Sequence, residues 1–325
     1  MKQELIHIEQ CGFLSTIQDE GRKGYLQYGV AKGGAMDNYS MQLANLLTGN
    51  EFNAPVLEIT QSPHQFQFVT DALVAFAGGG LQPVVNEKEL PLFQCLLIPK
   101  GTMIELKKQI PGFRLYMAVA GGFEAELFLN SSSTNLLVQA GGFKGRPLKK
   151  GDTLHQQQPL TSFQKNLMKV LQSGTELQFN FNNNYIQQPT IRVIKGAEWN
   201  DLTHVSQQQL FQSPFSITPQ SSRMGIRLKG AAITTNRPCD IISSPVTQGT
   251  VQLTSSGELI ILMADAQTVG GYPRILQVAA SDLRVLAQKK PGDAIQFQLV
   301  SLREAEEALI HQMKTLQMMK ETIQK

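Results

Sequence analysis

Long apolar runs are missing from this chain of 325 residues. No stretch approaches the ~20 consecutive apolar residues of a membrane-spanning helix. An excess of one charge is missing too: 29 Lys+Arg stand against 26 Asp+Glu, a formal net charge of +3. That balance supplies no electrostatic footprint for nucleic acid or an anionic membrane. Charged residues make up only 17% of the chain, so Gln, Asn, Ser and Thr must supply much of the polar surface. Cysteine is scarce, and Cys11, Cys95 and Cys239 form no CxxC or other metal-binding spacing. Three distant thiols suit a reducing compartment better than a disulfide framework. The histidines, His7, His64, His155, His204 and His311, are isolated and make no HExxH pattern. Gly78-Gly79-Gly80 lacks the Lys-Ser/Thr of a phosphate-binding loop, and no G-x-S-x-G segment is present. Glu4, His7 and Glu9 interrupt the apolar run that a signal peptide needs, so a cytoplasmic protein is expected.

What the chain does have is an apolar content of 42%, enough for a sizeable core. Short apolar runs lie between Gly and Pro punctuation: Ala72–Ala77, Gln94–Pro99, Phe113–Ala120, Thr190–Lys195, Leu259–Ala264 and Ala294–Ser301. Such runs predict the buried strands of a mainly β protein with few helices. One helix is expected after Asp37, a natural N-cap, through Tyr39, Leu43, Leu46 and Leu47 to Gly49. A short one is expected near Ser281–Leu286. The segment Leu302–Lys325 has no Gly or Pro and places Leu302, Ala305, Leu309, Met313, Leu316 and Met319 at helical spacing. It predicts an amphipathic helix packed on a domain of its own chain or on a partner.

The chain also repeats itself. Ala118-Val-Ala-Gly-Gly-Phe123 is followed by Ser131-Ser-Ser-Thr-Asn-Leu136 and then Leu148-Lys-Lys-Gly-Asp-Thr-Leu154. Gln267-Thr-Val-Gly-Gly-Tyr272 is followed by Ala279-Ala-Ser-Asp-Leu283 and then Lys289-Lys-Pro-Gly-Asp-Ala-Ile295. The separation is that of a domain rather than of a solenoid repeat. A duplicated β-rich domain is therefore expected, with residues 1–187 as the first domain, 188–301 as the second and 302–325 as the terminal helix. The Gln/Asn-rich stretch Gln156–Gln188 is expected to be the join or an irregular extension beside it.

Three segments can carry chemistry. Thr16-Ile-Gln-Asp-Glu-Gly-Arg22 leads to Gly29-Val-Ala-Lys-Gly-Gly-Ala-Met-Asp37, dense in glycine, with Asp19, Arg22 and Asp37. A Gly-rich backbone can approach a ligand and present N–H groups to an anion or carbonyl; a set of tight turns fixed by an Asp–Arg pair explains it as well. Ser221-Ser-Arg223-Met-Gly-Ile-Arg227 offers Arg223 either as a carboxylate or phosphate clamp or as half of a structural ion pair. In the third, the apolar run Leu259–Ala264 leads into Asp265, Gln267 and Thr268, then Gly270-Gly271-Tyr272, with Gln248-Gly249 upstream. Polar groups at a strand end above a glycine turn suit a site built on a rigid scaffold. Gln267 has both a donor and an acceptor for an amide or lactam, and Asp265 can orient a cation or act as a general base.

At these segments the chain resembles the family that includes the C subunit of 5-oxoprolinase, the KipI antagonist KipA, allophanate hydrolase subunit 2 and the carboxyltransferase domain of urea carboxylase. The resemblance rests on Thr16–Arg22, Gly29–Asp37, Ala44-Asn45, Gly49-Asn50, Leu57-Glu58, Ala118–Phe123, Ser133-Thr134, Gly145-Arg146, Gly151-Asp152, Arg223-Met-Gly225, Gln248-Gly249, Leu262–Pro273 and Pro291-Gly-Asp293. It implies two cyclophilin-like β-barrel domains. It also implies a KipI-like partner and a LamB/YcsF-type partner, with which 5-oxoproline is cleaved to glutamate at the expense of ATP with Mg2+. A lactam carbonyl is a poor electrophile, and phosphorylation of its oxygen lets water open the ring. On this resemblance Arg223, Asp265 and Gln267 are the expected catalytic residues. Asp19, Arg22, Asp37, Gln248, Thr268, Gly270, Gly271 and Tyr272 are expected to bind substrate. No metal ligand is expected in this chain, which is expected to be inactive alone.

The same residues suit a carboxyltransferase acting between carboxybiotin and urea. No Lys in a Met-Lys-Met setting is present, so the chain is not itself a biotin carrier. A KipA-type regulator that binds a KipI-like kinase inhibitor is a third reading. Departures from the family pattern remove charge: Ala266 stands where Asp-Arg-Gln has arginine, Asn130-Ser-Ser-Ser-Thr134 replaces Gly-Ser-Arg-Ser-Thr, and Ser222 replaces an Asp.

Overall fold

In the computed structural model, residues 3–61, 63–175, 181 and 183–323 are described. Part of the Gln156–Gln188 stretch (176–180 and 182) and the last two residues of the expected terminal helix lie outside them. The protein is mainly β, as its short punctuated apolar runs predict. Two compact units are present. One comprises Met1–Gly21, Asp37–Ile186 and Leu316–Lys325; the other comprises Arg22–Met36 and Gln187–Thr315.

The first unit has two sheets. In one, Thr153–His155, Glu4–Gln10, His64–Phe68, Met103–Gln109, Leu81–Val85 and Lys88–Glu89 are neighbours in that order. In the other the order is Leu14–Gln18, Val56–Thr60, Arg114–Val119, Ala72–Gly78 and Cys95–Ile98. Strands Ala72–Gly78 and Arg114–Val119 are buried along their whole length, which is why they read as continuous apolar runs rather than as alternation. Residues from both sheets, including Ile6, Ile8, Phe66, Phe68, Phe76, Leu115 and Met117, form one core.

The second unit is a closed barrel: Thr190–Lys195, Arg274–Val278, Thr250–Leu253, Leu259–Leu262, Gly225–Lys229, Phe215–Ile217 and Ala294–Leu299. It closes through a parallel pairing of Thr190–Val193 with Gln296–Leu299. Ile191, Val193, Val251, Leu253, Ile261, Ile295 and Phe297 are all buried, and Phe215 packs on Phe297 with ring centroids 5.6 Å apart.

The repeated turn read from sequence is visible in hydrogen bonds. In the first unit Lys149 N–H donates to Asp152 Oδ2, Gly151 N–H to Ile8 O, and Ile8 N–H to Asp152 O. In the second, Lys290 N–H donates to Asp293 Oδ2, Gly292 N–H to Ile217 O, and Ile217 N–H to Asp293 O. Both glycines have positive φ, +87° and +92°, which explains why the turn reads Gly-Asp twice.

The helix after Asp37 spans Asn38–Leu47, with the Asp37 side chain accepting from Ser40 N–H at 2.9 Å. The short helix spans Leu283–Ala287, entered through a 3-10 turn at Ala280–Asp282. The C-terminal helix spans Leu302–Ile323 and opens on a capping box, with Ser301 N–H donating to Glu304 Oε2 and Glu304 N–H donating to Ser301 Oγ. Ala305 and Leu316 of its expected apolar face are buried, while Leu302 and Met313 are exposed. Two further helices lie outside the expected set. Ser162–Gln172 lies inside the Gln/Asn-rich stretch and opens on a Thr161/Gln164 capping box, a signal that the surrounding composition obscures. His204–Gln212 is capped by Thr203. No helix among the described residues is long and apolar enough to cross a membrane.

Candidate functional site

The expected site residues fall into both units. In the first unit, Asp19 and Asp37 are buried. Asp19 Oδ1 accepts from Gly21 N–H at 2.8 Å and from the hydroxyls of Ser131 and Ser133; Oδ2 accepts from Ser132 N–H at 2.6 Å. The serine triplet that stands where the family pattern carries an arginine is thus knotted around one carboxylate. Asp37 Oδ2 accepts from Ser40 Oγ at 2.7 Å and from Tyr185 OH at 3.2 Å, and Asp37 N–H donates to Tyr116 OH at 2.8 Å. Tyr116 OH in turn donates to Glu58 Oε2 at 2.8 Å. Burial first, and then the charges of Glu58 and Asp37, push the Tyr116 phenol well above its ordinary range, so it stays a neutral donor. Sequence reading assigns no role to Glu58, Tyr116 or Tyr185. The available signal is an acid in the middle of Val56–Thr60, a strand buried at every position.

In the second unit, Arg22, Arg223 and Asp265 come together around two glycines. Strand Leu259–Leu262 pairs with Gly225–Lys229, and the pairing continues beyond it: Met263 N–H donates to Met224 O and Asp265 N–H to Arg223 O, each at 3.0 Å. This sets Arg223 and Asp265 side by side. Arg223 Nε donates to Asp265 Oδ2 at 2.8 Å, and Nη2 donates to Asp265 Oδ1 at 3.1 Å and to Gly34 O at 2.6 Å. Gly33 N–H donates to Ala264 O at 2.9 Å, and Arg22 N–H to Lys32 O at 2.7 Å. Arg22 and Arg223 are almost fully buried, and Asp265 keeps 22% of its side chain exposed.

Beyond Asp265 the chain forms a polar edge. Gln267 is exposed; Gln248, Thr268, Gly270, Gly271 and Tyr272 are half-buried. Val269–Gly270 pairs with Ser244–Pro245, Thr268 O accepts from Val246 N–H, and Gly271 O accepts from Ile241 N–H. Gln248 joins this edge through Gly249, whose N–H donates at 2.7 Å to the carbonyl of Leu262, the last residue of the strand that leads to Asp265. A Cβ on Gly270 would lie 2.4 Å from Gln252 Nε2, so the Gln252 amide packs directly over this glycine and would have to shift to admit a side chain. Gln252, which also donates to Tyr272 O at 3.4 Å, is a supporting residue that sequence reading misses.

The described residues contain no group of three or more His, Cys, Asp or Glu that could hold a metal ion. Gly79 and Gly80 pack against the backbone of residues 111–113, where a Cβ would approach within 3 Å, so this glycine run is a close packing point rather than a phosphate cradle.

Residues 28–299 match the family model of the carboxyltransferase domain, subdomains A and B. The chain belongs to that family. Among its relatives, the 5-oxoprolinase C subunit of Escherichia coli is 36% identical over 301 residues, covering 93% of each chain. Its counterpart of the same name from Haemophilus influenzae is 32% identical, covering 90% of each. The urea amidolyase of Lachancea kluyveri is 29% identical over 92% of this chain but only 17% of its own length. The crystal structure of the K. lactis urea amidolyase superimposes with a TM-score of 0.86 at 27% identity, over 98% of this chain and 20% of that one. Membership of this family agrees with the resemblance drawn from the motifs.

Proposed function

We propose that this family member is the C subunit of a multi-subunit, ATP-dependent 5-oxoprolinase of the cytoplasm, active with a KipI-like partner and a LamB/YcsF-type partner. The observation that carries this reading is the 36% identity to the C subunit of a 5-oxoprolinase across 93% of both chains. The second unit's polar edge supports it chemically. A lactam presents one N–H donor and one carbonyl acceptor, and Gln267, exposed at a strand end, can answer both. Asp265, held in plane by Arg223, offers its open side to a substrate N–H. Gln248, Thr268 and Tyr272 complete the edge.

In the proposed reaction the lactam oxygen takes the γ-phosphoryl group of ATP, releasing ADP. Water then adds to the activated carbon and the C–N bond opens, leaving the γ-carboxyl as its acyl phosphate; a second water hydrolyses that acyl phosphate to glutamate and phosphate. ATP and its Mg2+ are assigned to no residue of this chain.

The test is release of phosphate and glutamate from 5-oxoproline by this chain mixed with its two cognate partners, with Asp265→Asn run beside it. Turnover that needs all three chains, and that falls at least about 100-fold in the variant, supports the proposal. A well-formed complex silent with 5-oxoproline overturns it. The likeness to urea amidolyase favours a second reading, carboxyl transfer from carboxybiotin to urea. Urea-dependent consumption of carboxybiotin by the same complex would establish that one instead.

A further inference from the structure

We propose that Arg223 is a positioning residue that acts through the Gly33–Gly34 turn, and that the bare α-carbon of Gly33 is the seat of the Arg22 guanidinium. The activity arm of the test rests on the 5-oxoprolinase reading; the exchange arm does not. Arg223 points its donors inward: Nε and Nη2 engage Asp265, and Nη2 also holds the Gly34 carbonyl. It is 6% exposed, so the guanidinium faces protein rather than an open cleft. A planar fork suits this task because one rigid group meets a carboxylate and a carbonyl at once, which an ammonium on a flexible stem does not do.

The second half of the device is Gly33. Its N–H is bonded to Ala264 O, in the residue before Asp265, so the turn is fixed to the same strand end that carries the acid. A Cβ on Gly33 would lie 2.6 Å from Arg22 Nη1 and 3.7 Å from Asp265 Oδ1, and its φ of +65° is one that side chains rarely adopt. Arg22 and Asp265 therefore meet over a single bare α-carbon. The guanidinium of Arg22 is located by the absence of a methyl group, and the carbonyl next to it by Arg223.

The experiment uses the full chain with Arg223→Lys, Gly33→Ala, Arg22→Ala and the Gly33→Ala/Arg22→Ala pair. Amide hydrogen exchange is read first, without substrate. In Arg223→Lys the amides of Arg22 and Gly33 should exchange at least about tenfold faster while those of Leu259–Leu262 are unchanged. Unchanged exchange at Arg22 and Gly33 overturns the clamp. In the complex, Arg223→Lys should lower kcat at least about tenfold with KM for 5-oxoproline within about twofold. A raised KM with kcat preserved would make Arg223 a substrate ligand and overturn the proposal. Gly33→Ala should lower kcat more in the wild-type background than in the Arg22→Ala background, the cost of a side chain at φ +65° remaining in both. Full additivity of the two overturns the seating of Arg22 on Gly33. If Arg223→Lys loosens the whole barrel, exchange at Arg22 and Gly33 in Arg223→Gln, with Leu259–Leu262 again as the internal reference, decides in its place. If the wild-type complex leaves 5-oxoproline intact, the 5-oxoprolinase reading falls while the exchange result still judges the clamp.

Discussion

Both units close a strand with the same Lys-x-Gly-Asp turn, yet they use their motif acids in opposite ways. In the first unit Asp19 and Asp37 lie in Gly-rich sequence and accept from backbone N–H groups and from hydroxyls of serines and a tyrosine. Such donors carry no charge, and they fix the acid where it is. In the second unit Asp265 faces a guanidinium on one side and keeps part of its surface open. A buried acid surrounded by short-range donors fastens a loop; an acid locked by one arginine at a strand end is oriented and still accessible. Glycine-rich, acid-bearing motifs thus divide by what supplies their hydrogen bonds.

The strongest test of that division is Asp37→Ala. It removes the N-cap of Asn38–Leu47, worth about 1 kcal/mol, and takes the carboxylate from the buried Ser40 and Tyr185 hydroxyls, which bond each other, so that one of them is left without an acceptor, about 1–3 kcal/mol more. Urea unfolding should show a loss of about 3 kcal/mol in total. Asp19→Ala should cost somewhat less, about 2 kcal/mol, because the acid is 8% rather than 0% exposed and water can replace part of its role. If either variant keeps its stability but loses turnover in the complex, the acids of the first unit belong to the chemistry and the comparison breaks.

Much of this is legible in the sequence, for identifiable reasons. The strand Thr190–Lys195 and the helix behind Asp37 appear where apolar runs and a capping residue place them. The repeated turn is readable because a positive-φ glycine and an Asp that bonds its own turn leave the same letters twice. What is not legible depends on distance in sequence. The Glu58–Tyr116–Asp37–Tyr185 chain joins residues on two strands, a helix cap and a 3-10 turn, and no spacing announces it. The grouping of 22–36 with the second unit, which puts Arg22 beside Asp265, is a fact of topology. Gln-rich helices such as His204–Gln212 lack the apolar stripe that would mark them, since tertiary contacts rather than pattern decide such segments.

A smaller effect sharpens the comparison within the second unit. Glu198 accepts from Arg274 Nε and Nη2 and from Arg274 N–H, and these bonds hold its carboxyl below the ordinary range against the opposing effect of burial. A carboxylate whose pKa is lower folded than unfolded stabilises the fold above its unfolded pKa, and that stabilisation disappears as pH falls through the folded value. Glu198→Gln should therefore lower the melting temperature near neutral pH, and the gap to wild type should close in acid. The pair is partly solvent-exposed, so the loss should stay below about 1 kcal/mol. Turnover should be unchanged, because this arginine–carboxylate pair fastens Arg274–Val278 to the turn after Thr190–Lys195 through both groups of Arg274. A loss of turnover comparable to that of Asp265→Asn would mean that any guanidinium–carboxylate pair in the barrel serves, and the special place given to Asp265 would go.

The thiols give the finest reading of the two units, with no expected effect on stability at all. Cys95 is buried among Leu73, Ala120 and Leu167 in the first unit, and burial pushes its thiol up to about 12. Cys11, half-buried, is also raised, by burial first and by the nearby charge of Asp152. Cys239 of the second unit is half-buried, with Thr235 Oγ1 3.7 Å from its sulfur. Alkylation goes through the thiolate, so at about pH 8 the native chain should label at Cys239 first, at Cys11 slowly and at Cys95 only after unfolding. Mass spectrometry of the labelled peptides measures the order. Cys95 labelling as fast as Cys239 would mean that the apolar cluster around helix Ser162–Gln172 opens in the native state, and a unit that opens there could not hold Asp19 and Asp37 as fixed fasteners.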